Sequence, residues 1–131
     1  MAGTIVADTI QDGAGNSTSM DNAIYGSAKA WVSYNCSTQT INSSYNVSSV
    51  TYIATGDVTV NFTNAFIDTN YCVTGGSSGD YSTTRGTFVC LNRIASTGAV
   101  SAPTTSSIRI NVVNDAGGSY NSAYANIHVT R

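Results

Sequence analysis

Hydrophobic and polar side chains alternate with a period of two along most of the chain, the pattern of strands that bury one face. Val58, Val60 and Phe62 fall opposite Thr59 and Asn61, and Ile108, Ile110 and Val112 alternate with Arg109 and Asn111. Ile127 and Val129 alternate in the same way with Asn126, His128 and Thr130. In Thr87 to Leu91 the residues Phe88, Val89, Cys90 and Leu91 succeed one another, so apolar groups lie on both faces and a central strand is predicted. Further strands are predicted at Thr4 to Ile10, Ala28 to Tyr34, Thr40 to Tyr45, Ser49 to Ala54 and Asn70 to Thr74.

Turn chemistry separates these segments. Thr55-Gly56-Asp57 joins two alternating runs closely enough for a tight hairpin, while Gly75-Gly-Ser-Ser-Gly-Asp80 and Asp115-Ala-Gly-Gly118 turn the chain at greater length. No segment carries helical periodicity over three turns; the best candidate for a short helix is Ser19 to Ala23, with Ser19 as its cap. About eight short strands in about a hundred residues predict an all-β, single-domain β-sandwich of jelly-roll-like form over residues 28–131.

Residues 1–27 differ from the rest. They carry Asp8, Asp12 and Asp21, the turn Asp12-Gly-Ala-Gly15 and few large apolar groups. They read as an arm for attachment or oligomer contact, with Thr4, Ile5, Val6 and Ile10 on a strand that adds to a neighbour's sheet. An ordinary first strand of the same sandwich is the equal alternative.

Composition sharpens the picture. Of 131 residues, 18 are Ser, 18 Thr, 13 Asn and 12 Gly, close to half the chain, whereas Lys plus Arg number five, Asp seven and Glu none. Surface helices need Glu, Lys, Arg and Gln, so a helical bundle is nearly excluded. Eight Tyr, three Phe and a Trp, with many Val and Ile, exceed what a disordered chain carries. The net charge is −2 and the cations are scattered, which removes the basic stripe that nucleic-acid binding requires. Met1-Ala-Gly-Thr-Ile-Val-Ala-Asp8 has neither the basic region nor the apolar run of a secretory leader, and the uncharged stretch from Ala30 to Gly56 holds too many Ser and Asn to enter a bilayer. A protein folded where it is made is expected. Cys36, Cys72 and Cys90 cannot all pair within one chain, so free buried thiols are expected, with a single Cys72–Cys90 bridge as the alternative. Sequons at Asn16, Asn35, Asn42, Asn46 and Asn61 then reflect only the Asn, Ser and Thr content.

Three segments in order carry a family resemblance: Lys29-Ala-Trp-Val-Ser-Tyr-Asn35, Ser44-Tyr-Asn-Val-Ser-Ser-Val-Thr51 and Thr55-Gly-Asp-Val-Thr-Val-Asn-Phe-Thr63. With Gly3-Thr-Ile-Val-Ala-Asp-Thr9 before them and Ala65-Phe-Ile-Asp-Thr-Asn-Tyr71 after, the chain from Gly3 to about Gly75 resembles the tail-fibre-like virion proteins of marine and freshwater bacteriophages, including those of cyanobacteria. Ser33 and Tyr34 stand where that family has Asn and Phe, and Asn35-Cys-Ser-Thr-Gln39 replaces a Gly-containing turn, which implies a longer or less regular first hairpin. The resemblance implies a virion structural protein assembled in the bacterial host, working as a homotrimer beside other virion proteins, for attachment to the host surface. A capsid or tail decoration protein without receptor binding is the alternative. An uncharged, hydroxylated surface with short strands suits either, because it resists stray edge pairing at high copy number.

Chemistry is sparse. His128 is the sole histidine, on an alternating strand, and is read as a surface or interface residue rather than a catalytic base. Glycoside cleavage needs two carboxylates set about 5–10 Å apart, but Asp57, Asp68, Asp80 and Asp115 all sit in turn contexts that favour Asp for its backbone hydrogen bonds. No zinc spacing, calcium loop or phosphate-binding loop is present, so no enzyme, metal or cofactor is predicted. Recognition fits better: an aromatic face stacks on a sugar's apolar side while amides and hydroxyls take its hydroxyl groups. Gly79-Asp-Tyr-Ser-Thr-Thr-Arg85 and Gly117-Gly-Ser-Tyr-Asn-Ser-Ala-Tyr124 supply these groups on predicted loops, making Tyr81, Arg85, Tyr120 and Tyr124 the expected contacts to a host surface glycan. Trp31 alternates on a strand and is expected in the core.

Overall fold

Period-two alternation becomes antiparallel sheet in the computed structural model, which describes residues 3, 6–19, 23, 27–79 and 86–131. The strands are β1 (Thr9–Gln11), β2 (Ser17–Ser19), β3 (Ala28–Asn35), β4 (Thr40–Tyr45), β5 (Val47–Ala54), β6 (Asp57–Phe62), β7 (Cys72–Ser77), β8 (Thr87–Leu91), β9 (Ser107–Asn114) and β10 (Ala125–Thr130). Eight of them form two four-stranded sheets, ordered β4-β3-β10-β7 and β5-β6-β9-β8. The protein is an all-β sandwich. Its hairpins β3–β4, β5–β6 and β8–β9 stay within one sheet, and the remaining connections cross between sheets.

The core lies between the two central pairs. Ala30, Val32 and Tyr34 of β3 and Ala125, Ile127 and Val129 of β10 meet Val58, Val60 and Phe62 of β6 and Ile108, Ile110 and Val112 of β9. Val58, Val60, Phe62, Ile108, Ile110, Val112, Ile127 and Val129 among them are the alternating residues named from the sequence. At one end Phe62, Phe66 and Tyr71 close the core, with Phe62 and Phe66 edge to face at 4.8 Å between centroids. The Tyr71 hydroxyl donates to the Thr104 carbonyl at 2.9 Å, tying the β6–β7 connection to the lead-in of β9.

Some placements differ from the sequence reading. Thr87–Leu91 is an edge strand, not a central one. Of its side chains only Val89 packs against the core, and Phe88 is 57% exposed; among the described residues β8 pairs with β9 alone. Trp31 is not in the core either: its neighbours Ala30 and Val32 take the inward positions, which turns Trp31 to the outer face, half-buried. Cys36, Cys72 and Cys90 are free, as expected, but Cys72 is exposed rather than buried. Burial pushes the Cys36 thiol up to about 11, against a Ser122 backbone hydrogen bond that acts the other way.

The first hairpin is irregular. Residues 36–39 form its turn, with Gln39 at φ 57° and the Asn35 side chain accepting the Ser37 and Thr38 N–H groups at 2.9 and 3.0 Å. A bulge interrupts the β3–β4 ladder between Ser33 and Tyr34. The Tyr34 ring is buried in the core and its hydroxyl has no hydrogen-bond partner among the described residues. Burial raises its pKa, with smaller contributions from Cys36 and Tyr52. Tyr34→Phe removes an unpaired buried polar group and keeps the ring, so we expect it to stabilise the fold by about 1 kcal/mol in urea unfolding. A loss of stability would mean that the hydroxyl is satisfied in solution.

β1 and β2 form a sheet of their own, registered Thr9 to Ser19. Asp12 builds the turn: one carboxylate oxygen accepts the Ala14 and Asn16 N–H groups at 2.9 Å, and the other accepts the Asn16 amide. Hydrogen bonds from Asn16 hold the Asp12 carboxyl below its usual range. Ile10 and Val6 are exposed, while Thr4 and Ile5 lie outside the described residues. Ser19 ends β2, and the stretch of the predicted short helix that follows it lies outside the described residues apart from Ala23, which is helical.

Candidate functional site

The strand directions give the sandwich two distinct ends. The β3–β4 and β5–β6 turns and the long β9–β10 connection gather at one end; the β4–β5 and β6–β7 connections lie at the other.

At the first end the β9–β10 connection is held by side chains that short polar residues alone can supply. The Asn121 side chain accepts the Gly56 N–H at 2.7 Å, and the Asn121 carbonyl accepts the Ser37 hydroxyl at 2.8 Å. Ser122 is fully buried; its carbonyl accepts the Cys36 N–H and its hydroxyl lies 2.7 Å from the Ser78 hydroxyl. Gly56 makes the close approach possible. It has φ +65°, and a Cβ there would stand 2.5 Å from the Val112 carbonyl and 2.7 Å from the Tyr120 carbonyl. Tyr120 is half-buried and Tyr124 is 58% exposed, both in this connection. Ser77 and Thr87 flank the segment that carries Tyr81 and Arg85 and meet through their hydroxyls at 2.8 Å at the same end. Tyr81 and Arg85 themselves lie outside the described residues.

The two outer sheet faces are unlike each other. On β5-β6-β9-β8, residues after β8 fold over the surface and cover a charged cluster. Asp57 is 1% exposed and takes both Arg109 Nε and Nη2, at 2.8 and 2.7 Å, while the Ala95 N–H reaches its second oxygen at 3.0 Å. Arg93 donates to the side chain of fully buried Asn111, whose amide donates to the Gly56 carbonyl at 3.0 Å. Burial pushes the Asp57 carboxyl up, but the Arg109 hydrogen bonds, the Ala95 N–H and the two guanidinium charges outweigh it and hold the carboxyl below its usual value. Asp57 thus ties Arg109 and the Ala95 N–H together, and its chief partner is a distant arginine rather than the turn backbone that its sequence context suggested.

On β4-β3-β10-β7 the described chain leaves the outer face open. Tyr45, Trp31, His128 and Thr74 stand opposite one another across the four strands in a single row. Tyr45 is 59% exposed and His128 and Thr74 are exposed. The next row, Ser43, Ser33, Asn126 and Gly76, carries only hydroxyl, amide and glycine. At the second end of the sandwich this face runs into an open groove of about 830 Å³, lined among others by Lys29, Tyr45, Ile67, Asn70, Cys72 and Thr130. Asn46, at φ 53°, fixes the groove wall: its amide donates to the Lys29 and Asn64 carbonyls and its oxygen accepts the Asn64 N–H at 2.8 Å. Lys29 Nζ donates to Ser27 Oγ at 2.6 Å and contacts no carboxylate among the described residues. Arg131 is paired with Asp68.

The four expected glycan contacts are therefore not shown as one site: Tyr120 and Tyr124 share an end of the sandwich, and the other two are not described. Sequence reasoning missed the Trp31 row. The signal was present, since Lys29, Trp31 and Ser33 alternate with the inward Ala30, Val32 and Tyr34. Among the described residues no group of three His, Cys, Asp or Glu side chains could hold a metal. His128 stands opposite Trp31 and Thr74 across the sheet, and neither is an acid. Compared with protein-family models, curated proteins and solved structures, the chain matches none.

Proposed function

We propose that this chain is a virion structural protein of bacteriophage, a tail-fibre-like module that attaches the particle to the host surface by binding rather than catalysis. The observation that carries the reading is the ordered set of three segments from Lys29 to Thr63, which here make up β3, the β4–β5 corner and the β5–β6 hairpin with β6. A sandwich with hydroxyl and amide groups outside and few charges suits a subunit held at high local copy number. The partners are two further copies of the chain, other virion proteins and a glycan of the host surface. A homotrimer buries sheet edges that a small domain otherwise leaves open, here β4, β5, β7 and β8.

A decoration protein fixed to the capsid or tail is the second reading. The separate β1–β2 hairpin, with Val6 93% exposed beside it, favours that reading because it offers an apolar handle outside the sandwich.

Antibody labelling or cryo-electron microscopy of the intact particle tests both. Density at the tail periphery, with a solution mass near three times 13.6 kDa by light scattering, is the expected result. Density on the capsid lattice would favour decoration, and a particle without the protein would overturn both.

A further inference from the structure

We infer that the outer face of β4-β3-β10-β7, with the groove at its end, is a binding site for an acidic polysaccharide. The inference rests on the reading of the chain as an attachment module, but it moves the contact away from Tyr120 and Tyr124.

Three properties of the face argue for this ligand. First, its central row offers aromatic rings on strands and not on loops. Tyr45, Trp31 and His128 are register neighbours across a ladder with strand spacing of about 4.8 Å, so three ring-bearing residues and Thr74 fall in one row across the face. Aromatic rings cover the apolar faces of pyranose rings, and strand-borne rings need little ordering on binding. Second, the flanking row supplies hydroxyl and amide groups without bulk. Gly76 ends it, and a Cβ there would meet nothing within 4 Å, which leaves a shallow shelf beside Asn126. The central strands β3 and β10 are paired on both sides, and their Ser33 and Asn126, with Ser43 beside them on the edge strand β4, share the face of Trp31 and carry hydroxyl and amide groups suited to a ligand's hydroxyls.

Third, the charge is one-sided. No position of these two rows is a carboxylate, and the chain's single lysine stands where the face meets the groove. Lys29 has a hydroxyl partner and no acidic one among the described residues, while Arg131 across the groove is neutralised by Asp68. A sugar carboxylate entering the groove would meet the Lys29 ammonium, which pairs with no acid among the described residues. The opposite outer face offers no such site, because its charges are already paired beneath residues that follow β8.

The test uses the full chain and three acidic probes, polygalacturonate, alginate and hyaluronate, with methyl-esterified polygalacturonate as the uncharged control, measured by calorimetry. We expect binding to at least one acidic probe, at least tenfold weaker binding after esterification where polygalacturonate is the one bound, and loss of the charge preference in Lys29→Gln. Trp31→Ala and Tyr45→Ser should each weaken binding at least tenfold; Tyr45 is exposed on an edge strand, so its variant keeps the test valid if Trp31→Ala does not fold. No binding to any of the three, or binding untouched by both aromatic substitutions, overturns the inference. So does a variant that changes the solution mass while its polysaccharide affinity is unchanged, since the face would then contact a second copy of the chain. If particles carry the protein at the tail periphery and only Tyr120→Ala or Tyr124→Ala weakens binding, the attachment reading stands and this site fails; if the protein sits on the capsid lattice, the attachment reading itself fails.

Discussion

Asp57→Ala should lower the stability of the sandwich by about 3 kcal/mol, the lower end of what removing one partner of a buried ion pair costs. Asp57 is 1% exposed and gathers two Arg109 donors and the Ala95 N–H, so its loss strands a guanidinium whose side chain is only 20% exposed. Nearby Arg93 loses the same compensating charge. In thermal unfolding this corresponds to a drop on the order of 10 °C. The pH dependence has a definite sign. A carboxyl whose folded pKa lies below its ordinary 3.8 stabilises the native state at higher pH, and that contribution is lost as pH falls from 3.8 through the lowered folded value. The difference in melting temperature between wild type and Asp57→Ala should therefore be full at pH 7 and shrink steadily below pH 3.8. A difference that is flat down to pH 2 would mean that packing, not charge, is what the substitution removes.

Gly56→Ala should destabilise by roughly 2–5 kcal/mol, combining the left-handed backbone conformation, about 1–2 kcal/mol, with overpacking against a rigid neighbour. The neighbours are backbone atoms: the Val112 carbonyl at 2.5 Å, the Tyr120 carbonyl at 2.7 Å and the Tyr120 nitrogen at 2.8 Å from the added Cβ. Neither β9 nor the connection after it can yield without breaking the Val112 N–H bond to Gly56 or the Tyr120 N–H bond to Val112. Gly117 supplies the control. It has φ +78° but open space around its Cβ position, so Gly117→Ala should cost only the conformational part. Equal losses at the two positions in urea unfolding would show that contact at Gly56 is relieved by movement. A larger loss at Gly56, with altered exposure of Tyr120 fluorescence, is the expected pattern.

Much of the fold was legible because burial in a two-layer sandwich imposes period two on a chain, and residues such as Val58, Ile110 and Ile127 record it directly. β4 and β8 have the predicted bounds, and the Thr55-Gly56 turn joins β5 to β6 as read. Alternation names the residues that share a face but not which face is inward when both are apolar. At β3 a single large aromatic misled the reading: Lys29 and Ser33 share the face of Trp31, and the smaller Ala30 and Val32 with Tyr34 pack inward against β6 and β9. Thr87–Leu91 shows the companion limit. A run of apolar residues suggests two covered faces, yet the place of a strand in its sheet depends on partners elsewhere in the chain.

The candidate site was less legible. Tyr120 and Tyr124 were visible as aromatic residues in a Gly- and Ser-rich loop, and the structure puts them at one end of the sandwich, opposite to the groove that Lys29 and Tyr45 line. Tyr45 and His128 are 83 positions apart in sequence, and only the registers of β4 on β3 and of β3 on β10 bring both beside Trp31. By itself the sequence determined the all-β class, the core residues of β6, β9 and β10 that alternate most strictly, the positions of most strands and the scatter of the cations. Those follow from local alternation and composition, which each short segment carries within it. The tertiary structure alone decided strand order, the pairing of Asp57 with Arg109 and the aromatic row on the open face, because each depends on hydrogen-bond register between segments far apart in the chain, which no local pattern encodes.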